Sequence, residues 1–192
     1  MAQFEEGTVI RLRAFRRGPD GSQVPAEPIE ERYEHVKLLI TAKDLLDDVG
    51  DSYRVIPLAA EESLVRDVLT FCKDPTLHLV PPTDPERIVR PALTEAQTEF
   101  YRSYLIGYQD DKSKVTKIWS YIETADYLHC ALALRTAAQY LAETFLRGKT
   151  KNEVRALFGQ PPMTDEEEVH FERSFPLMFP ERAKKEASQT IV

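Results

Sequence analysis

Hydrophobic and polar residues alternate near the N-terminus and then recur at helical spacing over most of the chain. Residues 8–15 carry an apolar side chain at every second position from Ile10, which predicts a β-strand. Gly and Pro at residues 18–21 favour a turn, so we expect a hairpin partner around residues 23–26. The chain therefore begins with a predicted β-hairpin.

The next segment predicts helix, strand and helix in that order. Residues 30–49 have apolar positions at helical spacing, and Gly50 closes the run. Residues 53–58 predict a second strand, which we expect Pro57 to end. Residues 61–72 place their apolar side chains in one helical stripe.

A proline-rich segment separates this part from the rest. Residues 73–91 contain five of the thirteen prolines, which predicts irregular structure. The segment also keeps apolar residues such as Leu77 and Leu79, so we expect it to lie along a surface.

After this segment the pattern is helical. Residues 95–109, 114–129 and 130–147 each predict a helix. In the third, polar residues fall every fourth position from Arg135, and the rest of the circumference is apolar. Such a helix is expected to be surrounded on most sides, at the centre of the fold. Together with the strands, these helices predict an α+β fold in which a small sheet is covered by helices.

Short helices follow Gly148, which suits a left-handed helix cap. Capping-box spacing at Thr150–Glu153 and at Thr164–Glu167 predicts two helix starts. The acidic run 165–168 then complements a helix dipole and needs no metal ion to explain it.

Composition and motifs exclude several function classes. The net charge of −7 argues against general nucleic-acid binding, and apolar runs are shorter than the roughly 20 residues of a membrane helix. The Gly148-Lys149-Thr150 corner lacks the earlier glycine and the strand–helix context of a phosphate loop. The four histidines and two cysteines have no metal-ligand or catalytic spacing. We expect no enzyme activity, no cofactor and no metal.

Two blocks of the sequence resemble the Skp family, whose members join F-box proteins to a cullin scaffold in ubiquitin ligases. Residues 55–72, which open with Val-Ile-Pro-Leu, are similar to the family's third strand and following helix. Residues 124–172 are similar in helix lengths, in the Gly148-Lys149-Thr150 corner and in the Glu-rich start of the last helix.

The resemblance implies a BTB/POZ-like fold with extra C-terminal helices. It divides the chain into a BTB/POZ-like domain at residues 1–129, with the loop 73–91, a helical F-box-binding region at 130–179 and a loose tail at 180–192. By position, the F-box-binding face comprises Val154, Leu157, Phe158, Met163 and Phe171.

The cullin-facing pair of the family is Asn-Tyr, and Asp126 and Tyr127 stand at those positions. The family's closing Trp is absent, so Phe175 or Phe179 would have to complete the F-box-binding face. The chain is thus a divergent relative of the family it resembles.

The resemblance implies a non-enzymatic adaptor of an SCF-type ligase, with F-box proteins and a cullin as partners. The alternative is a Skp-like scaffold in an F-box complex outside ubiquitin ligases, such as a kinetochore complex. We also expect a homodimer of the free protein, because an apolar face without its partner favours association. The acidic N-terminus lacks a signal peptide and the two cysteines suit a reducing compartment, so cytoplasm and nucleus are the expected locations.

Overall fold

The computed structural model describes residues 7–39, 55–79 and 91–174. Contacts group the chain into two compact units, residues 1–147 and residues 148–192. The first contains the sheet and most of the helices, and the second contains two short helices. The predicted α+β class, a small sheet with helices, is confirmed.

The sheet is built around its first strand. Its four strands are β1 (Val9–Arg17), β2 (Gln23–Pro25), β3 (Ile29–Arg32) and β4 (Ile56–Glu61). β1 pairs antiparallel with β2 and β3, and parallel with β4. Leu12 of β1 lies opposite both Ile29 and Ile56, so it is at the centre of the sheet.

The predicted alternation of β1 is confirmed by burial. Ile10, Leu12 and Ala14 are all buried, whereas their neighbours Arg11 and Arg13 are exposed. The predicted hairpin is also confirmed, and Gly21 in its turn has a φ of +79°, which favours glycine. One face of the sheet is therefore the apolar face.

The predicted end of one strand and the predicted start of one helix differ from the structure. Pro57 does not end the second strand, because it lies inside β4 opposite Arg13. Proline is tolerated there because β4 pairs only with β1 among the described residues, which makes it an edge strand. The helix predicted from residue 30 begins only at Tyr33, since Ile29–Arg32 pairs with β1 as β3. Residues 40–50 of that predicted helix lie outside the described residues.

Helices of the first unit pack against the sheet and against one another. They are α1 (Tyr33–Val36), α2 (Glu62–Lys73), a 3-10 helix (Pro75–His78), α3 (Glu95–Tyr104), α4 (Asp111–Tyr127), α5 (Ala131–Leu141) and a π-helical turn (Ala142–Leu146). The apolar stripe of α2 is buried, with Val65 and Val68 fully covered. The second unit holds α6 (Lys151–Leu157) and α7 (Asp165–Ser174).

The described part of the proline-rich segment packs on the protein, and the element it contacts is α3. Leu77 is 2% exposed, and the side chain of Gln97 donates hydrogen bonds to the carbonyl oxygens of Leu77 at 2.8 Å and Leu79 at 3.2 Å. Gln97 also completes a capping box with Thr94 at the start of α3. One buried amide thus joins the segment to the helical layer.

α5 is less enclosed than its sequence predicts. Its buried side chains, Ala133, Thr136, Ala137, Tyr140 and Leu141, form one face, while Ala131 and Ala138 are exposed. Alanine is small and a good helix former, so it is well tolerated on an exposed helical face. The all-round apolar pattern therefore overstated how much of this helix is covered.

α4 and α5 are joined by a turn of three residues, 128–130. The N–H of His129 bonds to the carbonyl of Asp126, and that of Cys130 bonds to the carbonyl of Ala125, both at 2.9 Å. This is a Schellman cap, in which His129 takes the left-handed conformation usually given to glycine (φ +54°). The cap ends α4 sharply and places Cys130 at the start of α5.

Aromatic side chains fill the space between α3, α4 and α5. Tyr101 and Tyr121 are fully buried, with ring centroids 5.8 Å apart in an edge-to-face arrangement. The Tyr101 hydroxyl bonds to Thr136 Oγ1 at 2.8 Å and to the Ala133 carbonyl at 3.2 Å. Within the described parts of the chain the Tyr121 hydroxyl has no hydrogen-bond partner.

These two tyrosines should respond differently to loss of the hydroxyl. We expect Tyr101→Phe to lower the free energy of unfolding by about 1 kcal/mol, because it removes a satisfied buried hydrogen bond. Tyr121→Phe should leave that free energy unchanged or raise it, because it removes an unsatisfied buried group. Urea unfolding of the two variants checks this, and equal losses of stability would contradict the assigned roles.

Candidate partner-binding surfaces

The second unit is a helix-turn-helix whose first helix has defined ends. α6 begins at the capping box predicted from sequence, in which the side chains of Thr150 and Glu153 bond to each other's backbone N–H. It ends in a Schellman cap: the N–H of Gln160 bonds to the Arg155 carbonyl at 2.8 Å, and Gly159 has a φ of +69°. The sharp end directs the chain into the turn before α7.

Three polar contacts hold this helix-turn-helix together. Asn152 Oδ1 accepts a hydrogen bond from the Met163 N–H at 3.2 Å, and Arg155 Nε donates to the Pro161 carbonyl at 2.6 Å. The Lys151 ammonium lies 2.6 Å from a carboxylate oxygen of Glu168. The third capping box, between Thr164 and Glu167, is also present at the start of α7.

All five residues predicted to face an F-box lie in this helix-turn-helix and are partly exposed. We call them the α6–α7 face: Val154, Leu157, Phe158, Met163 and Phe171. The first three occupy positions i, i+3 and i+4, on one side of α6 and its C-terminal cap. α6 contains no buried residue. The two candidates for completing the face, Phe175 and Phe179, lie outside the described residues.

The predicted cullin-facing pair lies in the first unit, at the end of α4. The Asp126 side chain is exposed, and Tyr127 is 37% exposed. The Tyr127 hydroxyl accepts a hydrogen bond of 2.9 Å from the Ala59 N–H of β4. Because β4 is an edge strand in the described sheet, this contact satisfies one of its outward N–H groups and fixes the tyrosine ring. Sequence reasoning identified the tyrosine but missed this contact with the sheet.

The buried carboxylates of the first unit are held by cations and are poor candidates for acid–base chemistry. Burial raises the pKa of Glu31, but hydrogen bonds from Lys73 and His35 outweigh it and the net pKa is lowered. Glu62 receives hydrogen bonds from Arg16 and from Arg66, which lower its pKa to about 2. A carboxyl group with so low a pKa remains ionised at neutral pH and cannot serve as a general acid.

Cys72 and Cys130 have no motif spacing in the sequence, but the fold brings them together. Their sulfur atoms are 3.8 Å apart across 58 residues of sequence. No local spacing signals such a contact, because it depends on how α2 packs against the α4–α5 turn.

Other kinds of site find no support in the described part of the chain. There, no cluster of three or more His, Cys, Asp or Glu side chains is arranged to hold a metal ion. Among the same residues, no helix combines the length and apolar character needed to cross a membrane. The acidic start of α7 is accounted for by its capping box and by the ion pair from Lys151.

Comparison with known proteins gives no family assignment: no protein-family model matches the chain, and no curated protein matches it significantly.

The ion-paired Glu62 predicts a specific acid sensitivity. Its folded pKa of about 2 lies below its ordinary value of 4.5, so its stabilising contribution is complete above about pH 5 and is lost as the pH falls toward 2. We expect the free energy of unfolding to decline over that interval, and to decline less steeply in Glu62→Gln. Urea unfolding at a series of pH values measures both slopes, and parallel slopes would contradict this role of Glu62.

Proposed function

We propose that the chain is a non-enzymatic adaptor of an SCF-type cullin-RING ubiquitin ligase, linking F-box substrate receptors to a cullin scaffold. The observation that carries the proposal is the partly exposed apolar face on a helix-turn-helix in which α6 has no buried residue. A helix of seven residues is marginal in isolation, so its apolar side chains are expected to gain stability by docking on a partner.

The order of the elements in the first unit agrees with this proposal. Apart from the additional strand β3, the order is the one that the resemblance to BTB/POZ-like domains implies: a β-hairpin, a short helix, a strand parallel to β1 and another helix. The predicted boundary at residue 129 and the membership of the Skp family remain parts of the proposal.

The mechanism is geometric. An F-box would dock on the α6–α7 face, and a cullin would contact the surface around Asp126 and Tyr127. One chain that binds both partners raises the effective concentration of a substrate receptor near the ligase. No bond is made or broken by the adaptor itself.

One observation favours a second function, a Skp-like scaffold in an F-box complex outside ubiquitin ligases. Asp126 is exposed and charged where the family has a neutral amide. Burying an unpaired carboxylate in an interface is costly, so this substitution disfavours a cullin that carries no matching cation. Binding to F-box domains without binding to cullins would favour the second function.

The F-box proposal is tested by charging the α6–α7 face. We expect Leu157→Glu with Phe158→Glu to weaken binding to purified F-box domains by about 100-fold or more, because burying unpaired charges costs several kcal/mol. Isothermal titration calorimetry with the full-length protein measures the loss. A matched control is Ala156→Glu with Gln160→Glu, which adds the same charge at exposed positions of the same segment.

The control pair should bind as the unmodified protein does, and circular dichroism should show that both variants keep their helices. Unchanged affinity in the Leu157 and Phe158 variant would overturn the assigned face. Equal loss in both variants would point to net charge instead of the face.

The cullin proposal is tested at Tyr127. We expect Tyr127→Ala to weaken binding to a purified cullin N-terminal domain by about 30-fold, as truncation of an aromatic anchor typically does. Tyr127→Phe keeps the ring but loses the hydrogen bond from Ala59, so it should retain most of the affinity. Binding is measured by biolayer interferometry with an F-box domain already bound, and no binding by the unmodified protein would favour the second function.

A further inference from the structure

Both cysteines of the chain meet inside the first unit. Cys72 lies near the end of α2, and Cys130 lies in the turn between α4 and α5. Their sulfur atoms are 3.8 Å apart, and each residue is 3% exposed. Because the chain has only two cysteines, each thiol has the other as its sole intramolecular partner for oxidation.

The two thiols have different environments. The hydrogen bond with Cys72 lowers the pKa of Cys130, with a further lowering from the Ala133 N–H and an opposing effect of burial. The same contact raises the pKa of Cys72, and burial adds to that rise. Cys130 at the start of α5 is therefore the better nucleophile, as thiols at helix N-termini commonly are.

We propose that Cys72 and Cys130 form a reversible intramolecular disulfide when the protein meets hydrogen peroxide. The Cys130 thiolate attacks one peroxide oxygen, so that an S–O bond forms, the O–O bond breaks and water leaves after protonation. The Cys72 sulfur, losing its proton, then attacks the Cys130 sulfenic acid; the S–S bond forms and a second water leaves. Two thiols are oxidised and one peroxide is reduced.

The local geometry favours this step. The sulfurs must approach from 3.8 Å to about 2.05 Å. Cys130 is the last of the three residues that join α4 to α5, and Cys72 lies in the last turn of its helix, so neither is held in the middle of an element. Small rotations of the two side chains and of the turn bring the sulfurs together.

Burial sets the class of oxidant. Because each thiol is 3% exposed, a bulky disulfide such as oxidised glutathione is excluded, and the oxidant has to be as small as hydrogen peroxide. The bond would join α2 to the α4–α5 turn, which begins directly after Tyr127. The disulfide itself does not depend on the proposed adaptor function.

To test this, the reduced full-length protein is treated with hydrogen peroxide and, in a separate sample, with oxidised glutathione. Free thiols are counted with Ellman's reagent after unfolding, and the intact mass is measured. We expect peroxide to reduce the count from two to zero with loss of two hydrogens, and dithiothreitol to restore it. Oxidised glutathione should leave both thiols free, and peptide mapping should show the Cys72–Cys130 link.

The same oxidation in urea is the control for proximity, because the unfolded chain must close a long loop by chance. We expect the native protein to cross-link about tenfold faster or more. The proposal is overturned if native protein keeps both thiols under peroxide that cross-links the unfolded chain, or if the only bond formed joins two molecules.

Matched serine variants test the assigned roles. Cys72→Ser should stop at the sulfenic acid of Cys130, which dimedone captures, whereas Cys130→Ser should remain mostly unmodified under the same peroxide exposure. The opposite result would overturn the assignment of Cys130 as the attacking thiol. The thiol count of the unmodified protein decides the disulfide even if either variant folds poorly.

Discussion

Pairing of β1 on both edges is the constraint on which the first unit depends. β1 has buried apolar side chains on one face, and its backbone groups must find partners on two sides. The hairpin supplies one edge directly, but the other edge requires β4, some forty residues later, to lie parallel to it. That parallel pairing places α2, which follows β4 at once, across the apolar face. Arg16 of β1 also forms an ion pair with Glu62 at the start of α2. The sheet and the helix are therefore joined by an ion pair as well as by burial.

Local sequence patterns correctly predicted the elements that are determined by interactions between residues close in sequence. The alternation of β1, the turn after it and the capping boxes of α3, α6 and α7 are encoded within a few residues, and all are present. Residues 30–32 were predicted to be helical because the residues after them have helical spacing, but pairing with β1 outweighed that preference. α5 was read as enclosed because alanine counts as apolar, although it is tolerated on an exposed helical face. The first difference arises because a tertiary contact outweighs a local signal, and the second because an apolar pattern made of alanine does not require burial.

The candidate surfaces were predictable only in part. Spacing alone placed Val154, Leu157 and Phe158 on one side of a short helix, and the structure leaves them partly exposed. Their assignment to an F-box came from resemblance, since an apolar helical face by itself does not name its partner. The bond from Ala59 to Tyr127 and the approach of Cys72 to Cys130 had no sequence signal, because both span distant segments.

The two units differ in how they can be stabilised, and this difference bears on function. The first has fully buried side chains on sheet and helices, including Leu12, Val65 and Tyr121, so it can hold its structure by its own core. In the second unit, α6 has no buried residue, and the polar contacts of the helix-turn-helix include its caps, two bonds to the turn and an exposed ion pair. Exposed ion pairs contribute at most about 1 kcal/mol each, so these contacts define the shape of the turn more than they stabilise it. A partner that buries the α6–α7 face would add apolar contacts, and by mass action would stabilise the bound form of the unit. Under the proposed function, affinity for an F-box and order in this unit would therefore be two measures of the same docking equilibrium.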